Sequence, residues 1–328
     1  MIIPLYYRVK PFLPRRLQIA LRRWRAFRTL GRCGHFWPID PQAGIPPEGW
    51  GGWPEKRRFA LILTHDVDTD RGQEKCRHLL QLEESAGFRS SFNFVAARYL
   101  VSSELHDHLR GRGFEVGLHG LVHNATLYQS RETFLAHAEL INIFLRHWGA
   151  VGFRSPCMYH NLEWLQELDI EYDASTFDTD PFEPQPEGVG TIFPFWVPGS
   201  GGRKGYVELP YTLPQDFTLF VLLRQRGIDL WKRKIDWIAR CGGMVLLNTH
   251  PDYMCFEGAP GFEEYPASLY TELLDYVRSR YRGEYWHPLP REMARFWEKG
   301  GRLARAVPQG GDPGAASMRW DARNTGEA

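Results

Sequence analysis

The 328-residue chain has few cysteines, and none of the five (Cys33, Cys76, Cys157, Cys241, Cys255) lies in a CxxC pair. That odd, scattered set argues against a disulfide framework and a cysteine-based zinc site, and it fits a reducing cytoplasm. No apolar run approaches the roughly 20 residues of a membrane-spanning helix. The first residues do not read as a secretory signal. Met1–Val9 is broken by Pro4 and Arg8 and lacks an apolar core followed by a small-residue cleavage site. Collagen-like and heptad periods are missing, as is any internal repeat. With 43% hydrophobic and 14% aromatic residues, the chain is too apolar for a disordered one. What remains is a globular protein long enough for one large core or two ordinary ones. Its 32 glycines and 23 prolines predict many turns.

Acid is missing from one stretch in particular. Residues 1–39 hold Arg8, Lys10, Arg15, Arg16, Arg22, Arg23, Arg25, Arg28 and Arg32 with no Asp or Glu, although the whole chain has a net charge of only +1. Within this arm Leu17, Leu21, Trp24, Phe27 and Leu30 recur at helical spacing. A basic amphipathic helix of this kind either lies on an anionic membrane surface or packs its stripe on the body and solvates its arginines. An Arg-rich, acid-free start also fits a mitochondrial transit peptide. Nucleic acid is not an expected partner, because the basic excess is confined to the arm and no binding module accompanies it.

Three regions follow. Residues 1–54 form the basic arm and a wrapping loop rich in Pro, Gly and Trp. Residues 55–300 form the body, and 301–328 a Gly/Pro/Ala-rich tail expected to be disordered. Strand-like segments are expected at Phe59–Leu63, Ser91–Val95, Glu115–Leu118, Ala150–Arg154, Ile170–Ala174 and Met244–Leu247. Helices are expected over 71–86, 102–110, 131–147, 161–168, 228–240 and 269–280. Such alternation predicts βαβ units, a parallel sheet and, at this length, a closed α/β barrel. The stretch 180–215 interrupts it with Phe182, Phe193, Phe195, Trp196, Tyr206 and Tyr211. These aromatics could stack on sugar rings at the barrel mouth or pack as a lid on the core.

Five of the strand-like runs end in residues that carry chemistry. Thr64-His65-Asp66-Val67-Asp68 places two carboxylates one residue apart, so an extended backbone points both to one side. His119 and His123 stand four apart, a spacing that puts both imidazoles on one face of a helical turn. Phe153-Arg154-Ser155-Pro156, Tyr172-Asp173-Ala174-Ser175 and Asn248-Thr249-His250-Pro251 follow. In parallel α/β folds the C-terminal ends of the strands are the catalytic face. Each residue also has an ordinary structural use. The acids could cap helices, the histidines could lie on the surface, Arg154 and Asp173 could pair, and His250 could pack under Pro251. Their gathering on one rim is what gives them meaning together.

In order and type these five segments resemble the motifs of the polysaccharide deacetylases, the NodB-homology or carbohydrate esterase family 4 enzymes. The resemblance covers roughly residues 59–251. It implies a distorted (β/α) barrel and hydrolysis of N-acetyl groups on sugars by a metal-bound water. By position, Asp66 matches the catalytic base, and Asp68, His119 and His123 match the metal ligands. Arg154 matches the arginine that orients the base, Asp173 the acid that orients the catalytic histidine, and His250 that histidine. The backbone N–H of Cys157, just after the Arg154 motif, is assigned the second oxyanion bond. The sequence departs from the family pattern at Val67, which separates the two aspartates. It departs again at Gly120, where Ser or Thr usually follows the first histidine, and after Asp173, where the usual tryptophan is missing and Phe177 is the nearest aromatic.

The expected protein is thus a cytoplasmic metal-dependent deacetylase, peripheral at the inner membrane face if its arm binds lipid. Zn2+ is the expected ion, although the ligand set also suits cobalt, nickel or iron. Its expected substrate is an N-acetylated sugar or glycan, with polysaccharide biosynthesis the expected setting. A non-sugar amide, or a catalytically dead carbohydrate-binding protein on the same fold, are the alternatives.

Overall fold

The computed structural model describes residues 14–34, 36–300 and 302–303. A first strand, β1 (Phe59–Val67), is buried along its whole length, as expected of a central parallel strand covered on both sides. Its alternate residues divide the protein. Thr64 and Asp66 share a side with buried Arg154, whereas His65 turns the other way to Glu83 and Tyr270 on the surrounding helices. This two-sided burial explains why the strand runs four residues beyond the apolar stretch 59–63. Its polar end is satisfied internally: His65 Nδ1 meets Thr249 Oγ1 at 2.7 Å and Nε2 meets Glu83 Oε1 at 2.9 Å.

From β1 the chain alternates helices and strands in the order of a barrel. The helix α1 (Arg15–Cys33) precedes β1, and α2 (Asp70–Ala86), β2 (Ser91–Phe94), α3 (Ser103–Gly111), β3 (Glu115–Leu118), α4 (Arg131–Trp148), β4 (Gly152–Phe153) and β5 (Tyr172–Asp173) follow it. Next come β6 (Phe195–Val197), β7 (Tyr206–Glu208), α5 (Asp229–Cys241) and β8 (Met244–Thr249). Strands β1 to β5 pair in parallel in chain order, β7 pairs with β5, and β8 lies on the other edge of β1. The stretch 209–213 spans the gap. Tyr211 N–H donates to Thr176 O on one side, and Thr212 N–H donates to Leu246 O on the other, both at 2.9 Å. The result is the distorted barrel that the resemblance implies, with helices outside, but β7 and β8 do not pair among the described residues, so the sheet curls into a half-barrel and not the closed barrel that the alternation predicts. Among the described residues its one antiparallel strand pair is β6 with β7.

Several expectations are corrected. The helix foreseen over 161–168 is a short 3-10 turn, Trp164–Glu167. A π-helical turn, Phe217–Leu222, was not foreseen, nor were β9 (Met254–Cys255), β10 (Tyr265–Pro266), β11 (Tyr285–Trp286) and α7 (Pro290–Lys299); α6 (Ser268–Arg280) was. The aromatics of 180–215 do not form a ring at the mouth. Phe193, Phe195, Tyr206 and Tyr211 are buried, and half-buried Phe182 packs edge-on against Trp37. The wrapping loop shares the body's core: Trp37, Ala43 and Trp53 are buried in it, and Trp50 packs on Trp53 and Trp297. Of the tail, Leu303 accepts bonds from Trp196 N–H and Trp297 Nε1–H; residues 304–328 lie outside the described residues.

The basic arm forms a helix but packs by a different face than its apolar stripe suggests. Ile19, Ala26 and Cys33, seven residues apart, are buried against the body. Leu30 is half-buried, while Leu17, Leu21, Trp24 and Phe27 face outward. The stripe of the sequence reading is therefore not the packing face. No helix among the described residues is long and apolar enough to cross a membrane.

Candidate metal centre and active site

The site sits where five strands end. Asp66 is the next-to-last residue of β1 and Asp68 follows the strand with the same parity, so both carboxylates reach the same imidazole. His119 Nε2 is 3.9 Å from Asp66 Oδ2 and 3.5 Å from Asp68 Oδ1. His123 Nε2 lies 3.2 Å from that same Asp68 oxygen. Ligand atoms from Asp68, His119 and His123 all fall within 4.8 Å of one another.

The two histidines are not on a helix, contrary to the sequence reading. His119 extends β3, its N–H donating to Phe94 O, and the chain then bends through irregular backbone to His123. Gly120 makes the bend, with φ at +70° and its α-carbon against Pro156, where a Cβ would lie 2.6 Å from the ring. The resemblance's usual Ser or Thr would be strained here, which accounts for the glycine. His119 Nδ1 is 2.9 Å from Arg154 O. A carbonyl only accepts, so Nδ1 carries the proton and Nε2 is left as the free donor of an electron pair.

This arrangement fits a divalent cation. Two imidazole nitrogens and one carboxylate converge, His119 is oriented by a backbone carbonyl, and Asp68 Oδ1 is buried with no hydrogen-bond partner. An unpartnered buried carboxylate oxygen is costly, and a cation offsets that cost. Asp68 is held from behind as well. Its N–H donates to Asp252 Oδ2 at 3.0 Å, and Thr69 Oγ1 donates to the other Asp252 oxygen.

Asp66 is prepared differently. Asn93 Nδ2 donates to Oδ1 at 3.0 Å, Asn248 Nδ2 to Oδ2 at 2.7 Å, and Arg154 Nη1 reaches Oδ1 at 3.3 Å. Burial alone would raise its pKa, yet His119, Arg154, His250 and Asn93 outweigh it and hold the carboxyl at about 2. Asp66 is thus a buried carboxylate held in its ionised form. Arg154 is itself fixed by Ala174 O and Thr64 Oγ1, both at 2.8 Å.

His250 is brought to the same rim, but not by Asp173. Asp173 accepts from Ser175 N–H (2.9 Å) and Ser175 Oγ (2.7 Å), and Ser175 Oγ in turn accepts from Ser155 N–H at 2.8 Å. Asp173 therefore braces the loop that carries Arg154. The partner of His250 is Asp216. Its Oδ1 is 2.7 Å from His250 Nδ1, and its Oδ2 accepts from His250 N–H at 2.8 Å and Tyr265 Oη–H at 3.0 Å. Burial works to lower the pKa of His250, but Asp216, Asp68 and Asp66 overcome it and hold the imidazole up at about 10. Asp216 was missed because it begins the π-helical turn, where no period or strand-end pattern marks it. Asn93 and Asn248 were legible only as polar residues at strand ends.

Cys157 completes the rim. It sits in the turn Pro156–Met158 with φ at 57°, next to Met158 at 56°, two successive side-chain-bearing residues in left-handed backbone. Such conformations cost of order 1–3 kcal/mol each and persist where surrounding structure imposes them. Its sulfur is 3.9 Å from His123 Nδ1. His123 is also the exposed edge of the centre, since Asp66, Asp68, His119 and His250 are buried.

No family model matches this sequence, and no curated protein is detectably similar. Solved structures do share its fold. A protein from Mycobacterium smegmatis described as a candidate polysaccharide deacetylase superposes with a TM-score of 0.62 over 80% of this chain and 98% of its own, at 17% identity. The PuuE allantoinase gives 0.61 at 17% identity, over 82% of this chain and 99% of its own. A probable polysaccharide deacetylase from Pseudomonas aeruginosa PAO1 gives 0.59 at 16% identity, over 82% and 97%. The chain therefore has the NodB-type fold that deacetylases and an allantoinase share.

Proposed function

We propose that this protein is a metal-dependent hydrolase of non-peptide C–N bonds that removes an acetyl group from an N-acetylated carbohydrate. One observation carries the reading. A ligand set of Asp68, His119 and His123 lies beside an ionised Asp66, with His250 and Asp216 on the same rim. A shared fold alone would not bring these side chains together.

Asp68, His119 and His123 would hold the cation, with Zn2+ the best match to two imidazoles and one carboxylate. Bound there, it supplies Lewis acidity for the acyl oxygen and lowers the pKa of water. Asp66 accepts the proton of the attacking water, its carboxylate oriented by Asn93, Asn248 and Arg154. The water oxygen bonds to the carbonyl carbon, and the Cys157 N–H is assigned the second hydrogen bond to the developing oxyanion. His250, charged and held through Nδ1 by Asp216, delivers a proton from Nε2 to the leaving nitrogen as the C–N bond breaks. The products are acetate and the free amine. Arg154, Asp173 and Asp216 act here as positioning residues.

The likeness to an allantoinase supports a competing substrate, a cyclic non-sugar amide, at the same centre. The discriminating experiment is direct measurement of acetate released from an N-acetylglucosamine oligosaccharide by zinc-loaded protein. The proposal expects release that Asp66→Asn abolishes. Hydrolysis of a cyclic amide with no acetate from the sugar would overturn the substrate assignment while keeping the chemistry.

A further inference from the structure

We infer that the outward face of α1 is a docking surface for an anionic lipid bilayer, which it would meet lying in the plane of the membrane. Successive residues of an α-helix turn by about 100°, so the face opposite Ile19, Ala26 and Cys33 can be read directly. It carries Leu17, Leu21, Trp24 and Phe27, which are 46%, 41%, 63% and 51% exposed. Globular proteins rarely leave such a set contiguous in water unless something covers it.

Its surroundings say what covers it. Arg16 flanks this apolar strip on one side and Arg25 and Arg32 flank it on the other, while Arg28 rises between the rows of Leu17 and Leu21, all four exposed. Among the described residues, Arg15 is the one member of the helix in an ion pair, with Glu263 at 2.6 Å. Arg16, Arg25, Arg28 and Arg32 are thus without a carboxylate partner among the described residues, although Arg16 lies over the ring of Phe262 (5.7 Å to the centroid) and Arg28 over that of Trp24 (5.5 Å). An apolar strip rimmed by arginine, with tryptophan at its middle, matches the boundary between acyl chains and headgroups.

Charge disfavours the other occupants. A second copy docked face to face would set two arginine rims together. Residues 1–13 carry Arg8 and Lys10 and no acid, so they too would meet like charge. An anionic surface complements both segments at once.

The inner side of α1 borders the candidate active site. Arg22 lies 4.4 Å above the ring of Phe217, the residue after Asp216, and Phe217 packs on Tyr253, which neighbours His250. Docking would hold the site's rim roughly 10 Å from the lipid, about one helix diameter. The inference does not depend on which amide is cleaved.

The test is flotation of the full-length protein with vesicles of phosphatidylcholine alone or mixed with phosphatidylglycerol. Wild-type protein should float with the mixed vesicles and much less with phosphatidylcholine, and added salt should weaken the association. Joint Leu17→Ser, Trp24→Ser and Phe27→Ser should cut binding by about tenfold or more, as should joint Arg25→Gln and Arg28→Gln. The arginine pair guards against a triple variant that misfolds. Wild-type protein left at the bottom with mixed vesicles would overturn the inference. So would a dimer that the triple variant splits while lipid binding stays nil.

Discussion

The sharpest perturbation is Asp216→Asn, because it separates the charge of this residue from its shape. In the native protein both carboxylate oxygens accept. Oδ1 takes the His250 Nδ1–H and Phe217 N–H, while Oδ2 takes the His250 N–H and Tyr265 Oη–H. An amide has one accepting oxygen and one donating NH2. If the oxygen stays toward Nδ1, the NH2 confronts the backbone N–H of His250, and two donors face each other. If it turns the other way, Nδ1 must become the acceptor, and the imidazole is forced into the neutral tautomer with its proton on Nε2. Either way a buried polar group loses its partner, at a cost of about 1–3 kcal/mol in stability. The charge that holds His250 up at about 10 is also gone, and burial then pulls its pKa down. For turnover the account predicts a fall of about 10²- to 10⁴-fold in kcat, the usual share of a positioned general acid.

The pH dependence has a definite sign. His250 is needed protonated, so wild-type activity should be limited on the alkaline side. That limb should move to lower pH in the variant. The folded pKa of His250 lies above its ordinary 6.5, so the stabilisation it gains from Asp216 is fully present below that value and is lost as pH rises through about 10. The stability gap between wild type and variant should accordingly narrow across this interval. The assay is the pH–rate profile for two acetylated substrates, one with a basic amine and one with an activated leaving group that needs no proton. An Asp216→Asn enzyme within a few-fold of wild type on the basic amine, or one equally impaired on both substrates, would refute the reasoning.

Two other predictions concern buried acids away from the reacting atoms. Asp173→Ala should cost about 1–3 kcal/mol in urea unfolding, because it frees Ser175 and with it the Ser155 N–H. It should leave the alkaline limb unmoved, and a shift there would restore Asp173 as the partner of His250. Glu83→Ala should cost about 3–5 kcal/mol, since it strips a buried partner from His65, Ser90 and Tyr270. Burial would raise the Glu83 carboxyl, yet His65, Ser90 and Tyr270 hold it below its ordinary 4.5. Its contribution is therefore present above that pH and lost as pH falls through the lowered value, and a pH-independent gap would contradict this.

The sequence shows the centre more clearly than its supports. Asp66 and Asp68 are legible because an apolar strand runs into two acids of equal parity, and the strand geometry delivers both to one place. His119 and His123 are legible by spacing, but for the wrong reason. Their convergence comes from a left-handed Gly120 against Pro156, a contact between distant segments that no helical period encodes. Asp216 is invisible for a related cause: its partner is 34 residues away, and it opens an irregular turn. The arm shows the same limit. Leu17, Leu21, Trp24 and Phe27 announce an apolar face, but Ile19, Ala26 and Cys33 mark a second one, and only the body's shape decides which is buried.

Metal content bears most directly on the central claim that Asp68, His119 and His123 hold one cation beside Asp66. Purified wild-type protein and Asp66→Asn should carry stoichiometric zinc after equilibration and desalting, while Asp68→Ala and His119→Ala should come out nearly free of it. Equal metal in all four proteins, or none in any, would contradict the account.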